Sequence, residues 1–159
     1  GRAALRSSPM QLREFFAEDA INLALQGRTK NDILRELVEL LHLDEKSQGM
    51  LLKLLQRRET LGSTGIGRGI AIPHCRSLVV SSLRVAFGRK VEGIDFKAID
   101  DKPAHVFFLI VAPPLEVSNQ YLPVLGKIAQ FAKEEDVPRR LLEIQTPADF
   151  LRLVEEKGL

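Results

Sequence analysis

Cysteine and tyrosine each occur once in this 159-residue chain, and tryptophan does not occur. A single thiol rules out an internal disulfide framework and agrees with a reducing cytoplasm, where the protein is expected to reside. An excess of one charge is also missing: 23 Lys and Arg stand against 21 Asp and Glu, a formal net charge of +2. Such a balance gives no general field for drawing in nucleic acid or a membrane surface, so partners must be chosen by a local site. The longest apolar run, 106–112, is far short of the roughly 20 residues of a membrane helix, and no membrane insertion is expected.

With 45% hydrophobic and 28% charged residues, the chain has the make-up of one globular domain with one core. Residues 1–9 carry Arg2, Arg6 and two serines and lack the apolar centre of a signal peptide. They precede Met10 and are expected to be a remnant of expression, which leaves 10–159 as the domain.

Helical spacing of Ile33, Leu34, Leu37, Leu40 and Leu41 predicts a helix capped by Thr29, with Asp32 in its first turn. A second is expected from Asp44 to Arg57-Arg58-Glu59, where cations suit the negative end of a helix. Apolar, β-branched runs at 83–87 and 104–111 read as strands, the first bounded by Gly88 and the second by Pro103 and Pro113-Pro114. Shorter strands are expected at 20–25 and 69–72. The run 106–111 would be buried on both faces, so helices should cover the sheet on two sides.

Three more helices are expected near 118–133, 138–144 and from Thr146 onward. Thr146 caps the last, with Pro147 at its first position. An interior proline would cost a hydrogen bond, so Pro123 belongs in a first turn and Tyr121 at a helix N-terminus. The alternation points to a single α/β domain with a central sheet covered by helices.

Between the second helix and the strands lies Glu59-Thr-Leu-Gly-Ser-Thr-Gly-Ile-Gly-Arg-Gly-Ile-Ala-Ile-Pro-His74. Amides turned inward at Gly65 and Gly67, with the Ser63 and Thr64 hydroxyls and Arg68, are the kind of group that holds an anion. The spacing is not GxGxxG, no Gly-Lys-Ser/Thr follows, and a helix rather than a strand precedes it, so ATP and NAD are not expected. His74 can attack phosphorus through one nitrogen while the other is held by an acceptor, with Pro73 pinning the backbone before it. From spacing alone a second reading stands beside this one: a turn that joins helix to strand, with His74 incidental.

The segment from Arg58-Glu59 through Gly-Ser-Thr-Gly-Ile-Gly to Gly69-Ile-Ala-Ile-Pro-His74 resembles the active-site signature of the enzyme IIA family of the phosphoenolpyruvate-dependent phosphotransferase system, fructose and mannitol branch. Ile94-Asp-Phe-Lys-Ala-Ile-Asp-Asp-Lys-Pro103 and the closing Ala148-Asp-Phe-Leu extend the resemblance over about 10–154. Within the branch, Gly-Ile-Gly-x-Gly-Ile-Ala-Ile-Pro-His looks most like the nitrogen-regulatory enzyme IIA.

The resemblance implies a three-layer α/β/α sandwich with a mixed sheet. It implies that His74 accepts a phosphoryl group from an HPr-type phosphocarrier, with no cofactor and no metal. It also implies a regulatory target, such as a transporter or sensor kinase. Two other readings share the fold: a sugar-specific component that passes phosphate to a IIB domain, and a non-catalytic regulatory module. The family's second histidine, in a His-Leu-x-x-Leu helix start, is matched here by Tyr121-Leu122-Pro-Val-Leu125. A tyrosine donates one hydrogen bond and stays neutral near pH 7, so onward transfer is left open, as is a packing role for Tyr121.

Glu59 is expected to orient a loop amide or Arg68, or else to be a solvated helix end. Cys75 is expected to pack rather than react. His42 and His105 lack partners at metal spacing, and Arg139-Arg140 read as a solvated helix surface. Ile66, Ile70 and Leu78 are expected to rim the site for a docking partner.

Overall fold

The computed structural model describes residues 11–115 and 118–158; the stretch read as a remnant, 1–9, lies outside them together with Met10. Two 3-10 turns, Leu12–Phe15 and Glu18–Ala20, lead into strand β1 (Ile21–Asn22). The expected strand at 20–25 is this short because the Asn22 side chain takes the Ala24 amide at 2.9 Å and turns the chain away.

Helices α1 (Lys30–Glu39) and α2 (Glu45–Thr60) follow where their caps announce them. Thr29 accepts from the Asp32 amide and Asp44 from the Ser47 amide, each closing a free helix end.

The mixed sheet runs β1, β5 (Arg84–Ile94), β6 (Ala104–Ala112), β3 (Ile70–Ala71), β2 (Gly65–Gly67), with β4 (His74–Arg76) also on β6. Strand β6 is the spine: β5 runs antiparallel to it on one side, while β3 and β4 both run parallel to it on the other. Its alternate residues divide the core. Val106, Phe108 and Ile110 pack with Val124, Ile128, Phe131 and Phe150. Phe107, Leu109 and Val111 pack with Ile33, Leu34, Leu37, Leu51 and Leu55 of α1 and α2. Helices α3 (Tyr121–Lys133), α4 (Val137–Glu143) and α5 (Pro147–Glu156) make the first layer, and the result is the expected α/β/α sandwich. Thr146 and Asp149 form a reciprocal capping box on α5.

One boundary differs from expectation. Gly88 does not end the first long strand; β5 continues past it to Ile94. A Cβ at Gly88 would lie 2.7 Å from Leu25 Cδ1 and 2.9 Å from Leu37 Cδ2, so glycine here lets α1 approach the sheet closely.

Candidate functional site

Pro73 interrupts the edge that faces β6. Before it, Ile70 and Ala71 pair with Val106 and Phe107; after it, His74 pairs with Ile110. The carbonyl of Pro73 accepts from the Ile110 amide at 3.0 Å, so the backbone stays on the ladder through the break. His74 is thereby mounted on the sheet, half-buried.

Its Nδ1 lies 2.6 Å from the carbonyl oxygen of Ile72. A carbonyl can only accept, so Nδ1 carries the proton and Nε2 keeps its lone pair. The sequence anticipates an imidazole held in this way; the acceptor turns out to be the main chain two residues back, between β3 and β4.

Tyr121, the first residue of α3, brings its ring centroid to 6.1 Å from that of His74. Its phenol is pushed up to about 12, first by burial and then by Cys75 beside it, against the opposing charges of Arg76 and Arg58. It is a neutral donor at any ordinary pH. Arg76 lies over the Tyr121 ring, 4.7 Å from its centroid, and donates to the Pro113 carbonyl at 2.7 Å. Arg58, in the last turn of α2, donates to the Gly62 carbonyl at 2.7 Å, and its charge reaches the Tyr121 phenol.

Arg58 and Arg76 are therefore the cations of this corner. Sequence reasoning gave neither that role. Arg58 looked like an ordinary cation at a helix C-terminus, and only its place at the head of the glycine segment marked it.

The glycine segment itself is arranged otherwise than expected. Gly67, Arg68 and Gly69 have φ of 90°, 60° and 81°, a left-handed turn that reverses the chain between β2 and β3. Gly65 lets the loop at 95–98 approach, since a Cβ there would sit 2.9 Å from that of Ala98. The hydroxyl of Ser63 donates to the Phe96 carbonyl at 2.6 Å and accepts the Gly65 amide at 2.9 Å. Thr64 gives both its amide, at 3.1 Å, and its hydroxyl to the carboxylate of Glu59. These donors brace the loop instead of converging on an anion.

Arg68, expected beside the histidine, is engaged elsewhere. Its guanidinium donates to the carbonyls of Ala132, at 3.0 Å, and Glu134, at 3.3 Å, at the C-terminal end of α3 and just beyond it. Tyr121 and His74 lie at the other end of that helix, about 16 Å away at about 1.5 Å of rise per residue. Arg68 thus satisfies carbonyls left open at that helix end. Glu59 orients an amide, as one reading had it, but the amide is that of Thr64, and its cation is Lys30 rather than Arg68.

Exposed apolar side chains lie close in the chain to Arg58, Arg76 and Tyr121. Leu61, Leu78 and Leu122 are 82%, 85% and 70% exposed, and Leu78, Met50, Leu54 and Leu115 line, with Arg76, a groove of about 490 Å³. Ile70, expected on this rim, is 1% exposed and belongs to the core under α3, because the β3 register turns it inward. Ile66 is exposed on the sheet edge.

Burial pushes the Cys75 thiol up to about 12, which keeps it protonated. His42 lies 3.2 Å from the Asp19 carbonyl, and His105 packs on Gly93 with its Nδ1 3.0 Å from the Val91 carbonyl. Arg140 is engaged by Glu156 and Asp136. Among the described residues no three His, Cys, Asp or Glu side chains gather as a metal site, and no helix is long and apolar enough to cross a membrane.

Comparison with known proteins agrees with this architecture. The family described as "Phosphoenolpyruvate-dependent sugar phosphotransferase system, EIIA 2" matches residues 14–157. The chain is 43% identical over 108 residues to the PTS system fructose-specific EIIA component of Haloferax volcanii, covering 66% of this chain and 70% of that one. It is 29% identical over 149 residues to the PTS system fructose-specific EIIABC component of Bacillus subtilis, covering 92% of this chain but only 23% of that longer protein. The crystal structure of nitrogen regulatory protein IIA-Ntr from Neisseria meningitidis superposes with a TM-score of 0.81 at 28% identity, covering 90% of this chain and 98% of the other.

Proposed function

The chain belongs to the EIIA 2 family of the phosphoenolpyruvate-dependent sugar phosphotransferase system, and on that premise we propose that Nε2 of His74 accepts a phosphoryl group from the phosphohistidine of an HPr-type carrier. The observation that carries this is the 2.6 Å bond from His74 Nδ1 to the Ile72 carbonyl, which leaves Nε2 unprotonated. The lone pair of Nε2 attacks phosphorus in line as the N–P bond of the donor breaks, and that electron pair returns to the donor imidazole. The accepting ring gains positive charge. Its Nδ1–H bond to Ile72 strengthens with that charge, so the carbonyl favours the transition state over the ground state.

Arg58, Arg76 and the Tyr121 phenol stand where they can offset the phosphoryl charge, in place of the loop groups Ser63, Thr64, Gly65, Gly67 and Arg68. The apolar groove and the exposed leucines give a carrier something to bury as it docks. Neither metal nor cofactor enters this step.

A regulatory role in the nitrogen-related branch is supported by the likeness to IIA-Ntr. The 43% identity to a fructose-specific component supports the other reading, delivery of phosphate to a IIB domain. Tyr121 weighs toward the first, because a phenol cannot take up a proton and become a cation beside the phosphoimidazole.

The test is incubation with phosphoenolpyruvate, enzyme I and an HPr-type carrier, followed by intact-mass measurement at alkaline pH. One added phosphoryl group is expected, absent in His74→Ala. No gain, or a gain that survives His74→Ala, overturns the assignment. Adding IIB domains to the phosphorylated protein then separates the two readings by whether the group leaves.

A further inference from the structure

We infer that Lys30 is a positioning residue for the His74 imidazole, acting through Glu59 and Thr64; the inference rests on the reading of His74 as acceptor. Lys30 occupies the first position of α1, where a cation faces the positive end of the helix dipole and is locally disfavoured. A residue that breaks a local rule there should be doing something elsewhere in the fold.

Its ammonium is 2.7 Å from Glu59 Oε1, with side-chain exposures of only 21% and 6%. It also donates to the Phe96 carbonyl at 3.2 Å and lies 4.5 Å above the Phe96 ring. Two arms leave this hub and meet on the same loop. Through Glu59 it holds the amide and hydroxyl of Thr64. Through the Phe96 carbonyl, which also accepts from Ser63, it holds the preceding residue.

From Thr64 the connection runs straight to the imidazole. The Thr64 carbonyl accepts the Ile72 amide at 2.9 Å, and the Ile72 carbonyl accepts His74 Nδ1 at 2.6 Å. The direction of the Ile72 carbonyl sets which tautomer His74 adopts and where Nε2 points. Removing the ammonium leaves a buried carboxylate without its counter-charge. Glu59 then turns toward the open cleft lined by Asn31, Gln56 and Thr60, and Thr64 loses both of its acceptors. A salt bridge that merely stabilises the fold would leave the ring unchanged.

The experiment compares Lys30→Met, Lys30→Arg and Glu59→Gln with Thr146→Ala, a cap removal on α5 far from the site. Nitrogen-15 NMR of the His74 ring, recorded above its titration, reads the tautomer. Time courses with phosphorylated HPr-type carrier read kcat and KM.

The wild-type ring is expected as a single Nδ1–H form, and Lys30→Met and Glu59→Gln as mixtures. In both variants kcat is expected to fall roughly ten- to a hundredfold with KM moving less than about twofold. Lys30→Arg should restore most of both readouts. If Lys30→Met keeps the wild-type tautomer and kcat while losing thermal stability as Thr146→Ala does, the inference is overturned. Should Lys30→Met fail to fold, Glu59→Gln and Lys30→Arg carry the same comparison. If the wild-type chain takes up no phosphoryl group, the assignment of function fails and the tautomer alone decides the role of Lys30.

Discussion

Arg76 stacks on Tyr121 at 4.7 Å, and Tyr121 stands 6.1 Å from His74, so a cation near the His74 ring is held in place by an aromatic face as well as by the Pro113 carbonyl. Tyr121→Phe keeps the stack and removes only the phenol. A hydrogen bond to a charged phosphoryl oxygen is worth about 1.5–3 kcal/mol, so acceptance should slow about ten- to a hundredfold while the thermal midpoint holds. Arg76→Met should slow it further. A wild-type rate in Tyr121→Phe takes the phenol out of the phosphoryl site.

Stability should fall in alkali. Cys75 and Tyr121, ordinarily near 9.0 and 10.0, are each pushed up to about 12 in the fold, principally by burial. The unfolded chain therefore loses these protons first. Their contribution is complete below about pH 9 and drains away as the pH rises toward 12. Urea midpoints measured between pH 8 and 11.5 should decline, and a Cys75→Ala/Tyr121→Phe variant should show a flatter decline. Identical slopes would refute the burial argument.

Arg68 should matter for stability and not for chemistry. Arg68→Met leaves the Ala132 and Glu134 carbonyls without their donor, at a cost of about 1 kcal/mol, while phosphoryl uptake by His74 continues at the wild-type rate. Arg58→Met should slow uptake, with a stability loss no larger than that of Arg68→Met from the freed Gly62 carbonyl. Paired melts and uptake rates for the two variants decide the matter, and a collapse of uptake in Arg68→Met would return that residue to the site.

Two glycines should respond in opposite directions. Gly49 sits inside α2 with nothing within 4 Å of where a Cβ would stand, so Gly49→Ala should stabilise by about 0.5–1 kcal/mol. Gly93 has φ of 77° and a Cβ would meet His105 Cε1 at 2.6 Å, so Gly93→Ala should destabilise by more than about 1 kcal/mol. Denaturant midpoints of the two variants check both signs.

The helices were legible because their signals are local: Thr29, Asp44 and Thr146 cap the helices they precede, and Pro123 and Pro147 fall in first turns. The unbroken apolar run of β6 was legible for the same reason, and it is buried on both faces as expected. The strands around the site were harder to read. Gly88 lies inside β5 because of Leu25 and Leu37, which are distant in sequence. Short β2 and β4 owe their existence to β3 and β6 rather than to their own residues. The candidate site residue, His74, stood out by its neighbours, and so did Tyr121. Which arginine faces it did not, since the direction of a long side chain leaving the left-handed turn at Arg68 is set by the far end of α3.

His74 sits on a floor of paired strands, pinned before and after by β6. A phosphoryl group placed there meets a framework with little freedom to rearrange. The protein would then announce its phosphorylated state by an altered electrical surface among exposed leucines, not by a change of shape, and a listener would have to be one that tells the two forms apart by charge.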